Sequence, residues 1–155
     1  MILLRNPQNI EIFTSFVYQF EKVMSDELIN STITICCINE HHERYCTVAT
    51  ENDPFATNTS LNPPFIAINE QVCQELSLTQ EEQYAMIAHE IGHILDKSPR
   101  EKNNPLNREY NADQFASKLE LSKELKTGLE KIINSGNYPC ETESIKERIK
   151  KLPNA

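Results

Sequence analysis

The sequence predicts an α+β fold: a small mixed or antiparallel sheet of about three strands, packed on one central helix, with further helices C-terminal to it. Three observations carry this. Runs rich in β-branched residues lie in the first half of the chain, at Thr32–Ile38, Arg44–Thr50 and Phe65–Asn69. Apolar residues recur at helical spacing before those runs, and again after Thr79. With 155 residues, the chain is long enough for one domain with a core and too short for two ordinary ones, so residues 1–155 read as a single domain.

Asn6-Pro7 is a helix start, a polar cap followed by proline at the first helical position. Ile10, Phe13, Phe16, Val17, Phe20, Val23 and Met24 then form one apolar stripe, as core packing requires. The first two β-branched runs, separated by the polar Asn39-Glu40-His41-His42-Glu43, read as a hairpin. Residues 51–64 are polar, carry three prolines and read as a loop. Phe65–Asn69 is a third strand, either an ordinary sheet strand or an edge along which a peptide can lie by strand addition. Thr79 and Glu82 make a capping box that opens a helix running to about Lys97, and Ser98-Pro99 ends it. After a charged loop from Arg100 to Asn107, a helix carries Tyr110, Ala112, Phe115, Ala116 and Leu119. Leu125, Leu129, Ile132 and Ile133 mark another, stopped by Asn134-Ser135-Gly136. A second capping box, Ser144 with Glu147, opens a last helix that buries Ile145, Ile149 and Leu152.

The formal net charge of -8 argues against nucleic acid or an anionic membrane as partner. No stretch approaches a membrane span, and the apolar start Met1–Leu4 is too short for a signal peptide. The five cysteines, Cys36, Cys37, Cys46, Cys73 and Cys140, are odd in number and lack framework spacing, which suits free thiols in a reducing compartment. The sequence therefore implies a cytoplasmic protein, unless an upstream signal has been removed.

Within the helix opened by Thr79 stands His89-Glu90-Ile91-Gly92-His93, an H-E-x-x-H. At i and i+4 the two imidazoles project from one helix face and can grip one zinc ion, with Glu90 placed as general base towards a metal-activated water. A catalytic zinc takes a third protein ligand. Asp96 and Pro99 stand where a metzincin has glycine and histidine, which excludes that class. On the next helix Glu109 and Asp113 share a face at i and i+4. Glu109 can supply the third ligand, and Asp113 can accept the other ring N–H of a ligating histidine, fixing its tautomer. Tyr110, Tyr138, Arg148 and His41 are candidate donors to a developing oxyanion.

H-E-x-x-H followed by E-x-x-x-D resembles the gluzincin metallopeptidases. The wording Arg108-Glu109-Tyr110-Asn111-Ala112-Asp113, with the closing Ser144-Ile145-Lys146-Glu147-Arg148-Ile149-Lys150-Lys151-Leu152, is similar to the HtpX and CAAX-prenyl-protease family over roughly residues 65–152. The ImmA/IrrE-like peptidases, which are cytoplasmic and act on a regulator protein, are a second resemblance, through Glu109, Ala112, Phe115 and Ala116. The resemblance implies a zincin-like peptidase domain with one Zn²⁺ held by His89, His93 and Glu109. It also implies Glu90 as general base, Asp113 as the support of His89, and a peptide or protein as substrate. Two features depart from the first family. Its members are often membrane-embedded or exported, and Cys140-Glu141-Thr142 stands roughly where they carry histidine-proline. A non-catalytic module that binds metal or a protein partner on the same fold is the reading from another class.

Overall fold

The computed structural model describes residues 2–5, 11–28, 33–37, 54–59, 64–98 and 104–153. They divide into two compact units, Met1–Glu75 and Leu76–Ala155.

The first unit runs β1 (Ile2–Arg5), α1 (Glu11–Gln19), α2 (Glu21–Leu28), β2 (Ile33–Cys37), β3 (Phe55–Asn58), β4 (Phe65–Ile68) and α3 (Glu70–Glu75). Its strands line up in the order β1-β2-β4-β3. β1 and β2 are parallel, as are β2 and β4, while β3 runs antiparallel to β4. Parallel neighbours need a crossover, and α1 with α2 supplies it between β1 and β2. Phe13, Phe16 and Met24 bury the stripe anticipated from the sequence. It is split at Phe20 into two helices, and the Phe16 and Phe20 rings lie 4.9 Å apart across the break. The Asn69 side chain accepts the Val72 N–H (3.2 Å) at the start of α3.

The second unit is built from α4 (Gln80–Leu95), α5 (Pro105–Lys118), α6 (Ser122–Ser135) and α7 (Thr142–Lys151). The capping box opening α4 forms as the sequence predicts: Glu82 N–H donates to Thr79 Oγ1 (3.2 Å) and Thr79 N–H to Glu82 Oε2 (2.9 Å). α4 is buried on nearly every side, from Tyr84 through Gly92, as a helix at the centre of a bundle must be. Two glycines admit its neighbours: Gly92 faces the backbone of α5 at Ala112, and Gly128 of α6 faces Met86. α6 ends at Gly136, whose φ of 72° is the left-handed conformation that glycine adopts freely.

Several expectations are corrected. The expected α+β class, a zincin-like domain with a small sheet of about three strands, is corrected to a mostly helical one. Seven helices dominate the described residues, and those of Leu76–Ala155 contain no strand. Within that unit the small positions of α4 and α6 let helices pack closely, α5 against Gly92 and α6 against Met86. The hairpin is replaced by parallel pairing: β1 and β4 occupy both edges of β2, and Arg44–Thr50 lies outside the described residues. β4 is an interior strand between β2 and β3, so Phe65–Ile68 offers no edge to a peptide. β3 occupies part of the expected loop. α5 begins at Pro105, capped by Asn104 Oδ1 accepting the Asn107 N–H (2.8 Å), so the charged loop is shorter than expected. α7 begins at Thr142 without a side-chain cap, and Glu147 pairs with Lys150 (2.7 Å) instead of closing a box on Ser144. The Asn6-Pro7 start and His41 lie outside the described residues. Among the described residues, no helix is long and apolar enough to cross a membrane.

Glu82 also joins α4 to α6, its Oε2 accepting from Lys131 Nζ at 2.7 Å. Burial pushes its carboxyl up, but Lys131 and the Thr79 N–H outweigh this and hold it below the usual carboxylate range. A depressed folded value means that the stabilisation is complete above the unfolded value of 4.5 and is lost as pH falls through the folded one. Glu82→Gln is therefore expected to destabilise the protein by about 1 kcal/mol at pH 7. In urea denaturation the gap to the parent should narrow in acid below the carboxylate range; a gap that stays constant with pH would count against the ion pair.

Candidate metal centre

Every sequence-selected ligand lies on α4 or α5. His89 and His93 are one turn apart on α4, their rings edge-on with centroids 4.6 Å apart and interplanar angle 84°. This brings the two Nε2 atoms to 3.0 Å. The close approach of α4 and α5 at Gly92 and Ala112 sets Glu109 opposite them. Glu109 Oε2 lies 3.2 Å from His89 Nε2, and Oε1 lies 3.3 Å from His93 Nε2. His89, His93 and Glu109 thus form a group that can hold a metal ion, with all their donor atoms within 4.8 Å of one another. His89 is buried, whereas His93 and Glu109 are partly exposed, so the group is reachable from one side.

Asp113, one turn beyond Glu109 and itself buried, stands behind His89, with Oδ1 2.7 Å from Nδ1. Burial raises the Asp113 carboxyl, but His89 and Arg148 outweigh it and hold it below the usual range. The ionised carboxylate can only accept, so Nδ1 carries a proton directed at Asp113, which leaves Nε2 as the nitrogen that faces Glu109 and His93 and would take a metal in place of its own proton. Burial and the charge of Arg148 lower His89, yet hydrogen bonds with Asp113 and Glu109 prevail and raise it to about 9. Burial opposes ionisation of Glu109, and both histidines overcome it, holding that carboxyl far below its usual value. Glu90 is buried on the same helix; burial pushes it up, partly offset by His89 and His93. Glu90, Glu109 and Asp113 set three carboxyl groups against the single guanidinium of Arg148, an excess of acidic groups that a divalent cation would offset.

One residue of the site escaped the sequence reading in its actual role. Arg148 is buried on α7, and its guanidinium reaches Asp113 and Glu109. Its donors are directed to these carboxylates, which does not fit the part of oxyanion donor. The available signal was its place in the helical repeat: Ile145, Arg148 and Leu152 share one buried face, and a charged residue on such a face needs a partner. Of the other oxyanion candidates, Tyr110 lies beneath Lys151 Nζ, 4.2 Å from the ring centroid, and Tyr138 is buried. Compared with protein-family models, curated proteins and solved structures, the chain matches none of them.

Proposed function

We propose that this chain is a zinc-dependent endopeptidase of the gluzincin type, hydrolysing amide bonds of a peptide or protein. The observation that carries the reading is the spacing of three suitable donor atoms. Ligand atoms around a tetrahedral zinc with bonds of about 2.0–2.1 Å lie about 3.3 Å apart. His89 Nε2 and His93 Nε2 are 3.0 Å apart, and Glu109 brings one carboxylate oxygen to each, Oε2 3.2 Å from His89 and Oε1 3.3 Å from His93, so that one ligand atom from each residue lies within 4.8 Å of the others. Three protein ligands leave a fourth position open, as a catalytic site requires and a closed structural site does not. When bound, zinc polarises a water and the scissile carbonyl.

The remaining work falls to the side chains. Asp113 accepts the Nδ1 proton of His89, which would leave Nε2 for the metal. Glu90 takes the proton from the attacking water as its oxygen bonds to the carbonyl carbon. The same carboxyl returns that proton to the leaving nitrogen as the C–N bond breaks. The motif wording on α5 and α7 supports a peptidase of the HtpX and CAAX-prenyl-protease type ahead of the ImmA/IrrE-like one.

Purified protein is expected to contain about one zinc per chain by mass spectrometry, and Glu109→Ala to lose most of it. Hydrolysis of an unfolded protein should stop on chelation and return with added zinc. Full zinc content in Glu109→Ala removes that residue from the ligand set, and hydrolysis that survives chelation rules out a metallopeptidase.

A further inference from the structure

The geometry points to Arg148 as a positioning residue through which the C-terminal helix sets the grip of the metal centre, an inference that rests on the metal-site reading above. Its guanidinium spans both carboxylates of α5. Nε donates to Asp113 Oδ2 at 2.9 Å and Nη2 to Asp113 Oδ1 at 2.7 Å, while Nη1 lies 3.1 Å from Glu109 Oε2. The first two contacts form a bidentate fork, the geometry arginine offers and lysine does not. Nη2 also approaches His89 Nδ1 to 3.2 Å. Both are donors, and they meet because both point at Asp113 Oδ1.

Three consequences follow. Asp113 is fixed in rotation by the fork, so His89 has one acceptor in one direction. Glu109 is tied at Oε2, which restricts a side chain that is otherwise partly exposed. The like charges of Glu109 and Asp113, one turn apart on α5, are held together by the cation between them. The contacts of Arg148 in the group are to Asp113, Glu109 and the Nδ1 edge of His89, so its action on a metal passes through these side chains. Ile145 and Leu152, buried on the same face of α7, hold that helix in place independently of charge.

The test is cobalt(II) binding to the full chain, read by competition with a chromogenic chelator and by the visible spectrum that reports coordination geometry. Arg148→Met is expected to weaken binding about 10–100-fold, the usual cost of losing a residue that orients a metal ligand, and to alter the spectrum. Ile145→Ala loosens α7 through packing alone; it should lower the melting temperature and leave affinity within about twofold of the parent. If Arg148→Met does not fold, Arg148→Lys carries the comparison, with about tenfold weaker binding expected because one ammonium cannot span both carboxylates. Parent-like affinity and spectrum in the folded arginine variant would overturn the inference and leave the metal site standing, as would equal weakening by Ile145→Ala. A parent protein that binds no cobalt would overturn both.

Discussion

Glu90→Gln is expected to keep its metal and its fold and to hydrolyse peptides about 10²–10⁴-fold more slowly than the parent. Glutamine has the same shape and still fills the buried position on α4, but it cannot accept a proton. His89, His93 and Glu109 are untouched, so zinc content should match the parent. Removing a buried carboxylate, whose ionisation burial already opposes, gives no reason for lost stability. The melting temperature should therefore stay within a few degrees. Single-turnover cleavage of an unfolded substrate, with zinc measured on the same sample, separates the outcomes. Equal rates at equal zinc would exclude Glu90 as the base. A slow variant that had also lost zinc would place Glu90 among the residues that build the site.

Gly92→Ala is expected to destabilise the protein by about 2–3 kcal/mol, although alanine favours a helix interior over glycine by about 1 kcal/mol. A Cβ at position 92 would lie 2.6 Å from the Ala112 carbonyl oxygen and 2.7 Å from its Cα. Both are backbone atoms of α5, so no rotamer change relieves the overlap and the two helices must part. Ala112 sits between Glu109 and Asp113, and separation carries both carboxylates away from the histidines. Metal affinity should fall together with the urea midpoint. Gly128→Ala is the control, because the nearest atom there is Met86 Cε at 2.8 Å, the movable end of a flexible side chain. A Gly92→Ala protein as stable and as metal-avid as the parent would show that α4 and α5 are not locked at this point.

The metal group was legible because its determinants are local. One helical repeat fixes His89 against His93 and another fixes Glu109 against Asp113, and the capping box at Thr79 sets α4 in phase. The partner of Asp113 on α4 was also anticipated, since a ligating histidine with one nitrogen on metal needs an acceptor on the other. The start of α5 was written in Asn104-Pro105, the same signal that Asn6-Pro7 gave, and was obscured by the surrounding charge. What depended on distant pairing was not legible. Nothing in Ile2–Arg5 or Phe55–Asn58 names its neighbouring strand, and the two edges of β2 are claimed by segments far apart in sequence. The strand content near the N-terminus suggested an α+β class, but helices dominate the described residues, and the unit that carries the site is assembled from them. Arg148 was visible as a charge among aliphatic residues, while its two carboxylate partners became identifiable only once α7 lay beside α5.

The guanidinium between the two acids imposes an order of events on biosynthesis. Arg148 follows Asp113 by 35 residues and His89 by 59. At roughly 5–20 residues per second, both carboxylates leave the ribosome seconds before their counter-charge does. Until then the like charges of Glu109 and Asp113 on α5 lack their cation, although the histidines of α4 have already been synthesised. If the His89, His93 and Glu109 group holds a metal as proposed, full retention would belong to the finished chain, and a ribosome stalled between α5 and α7 should display a polypeptide that yields its ion readily to competing chelators.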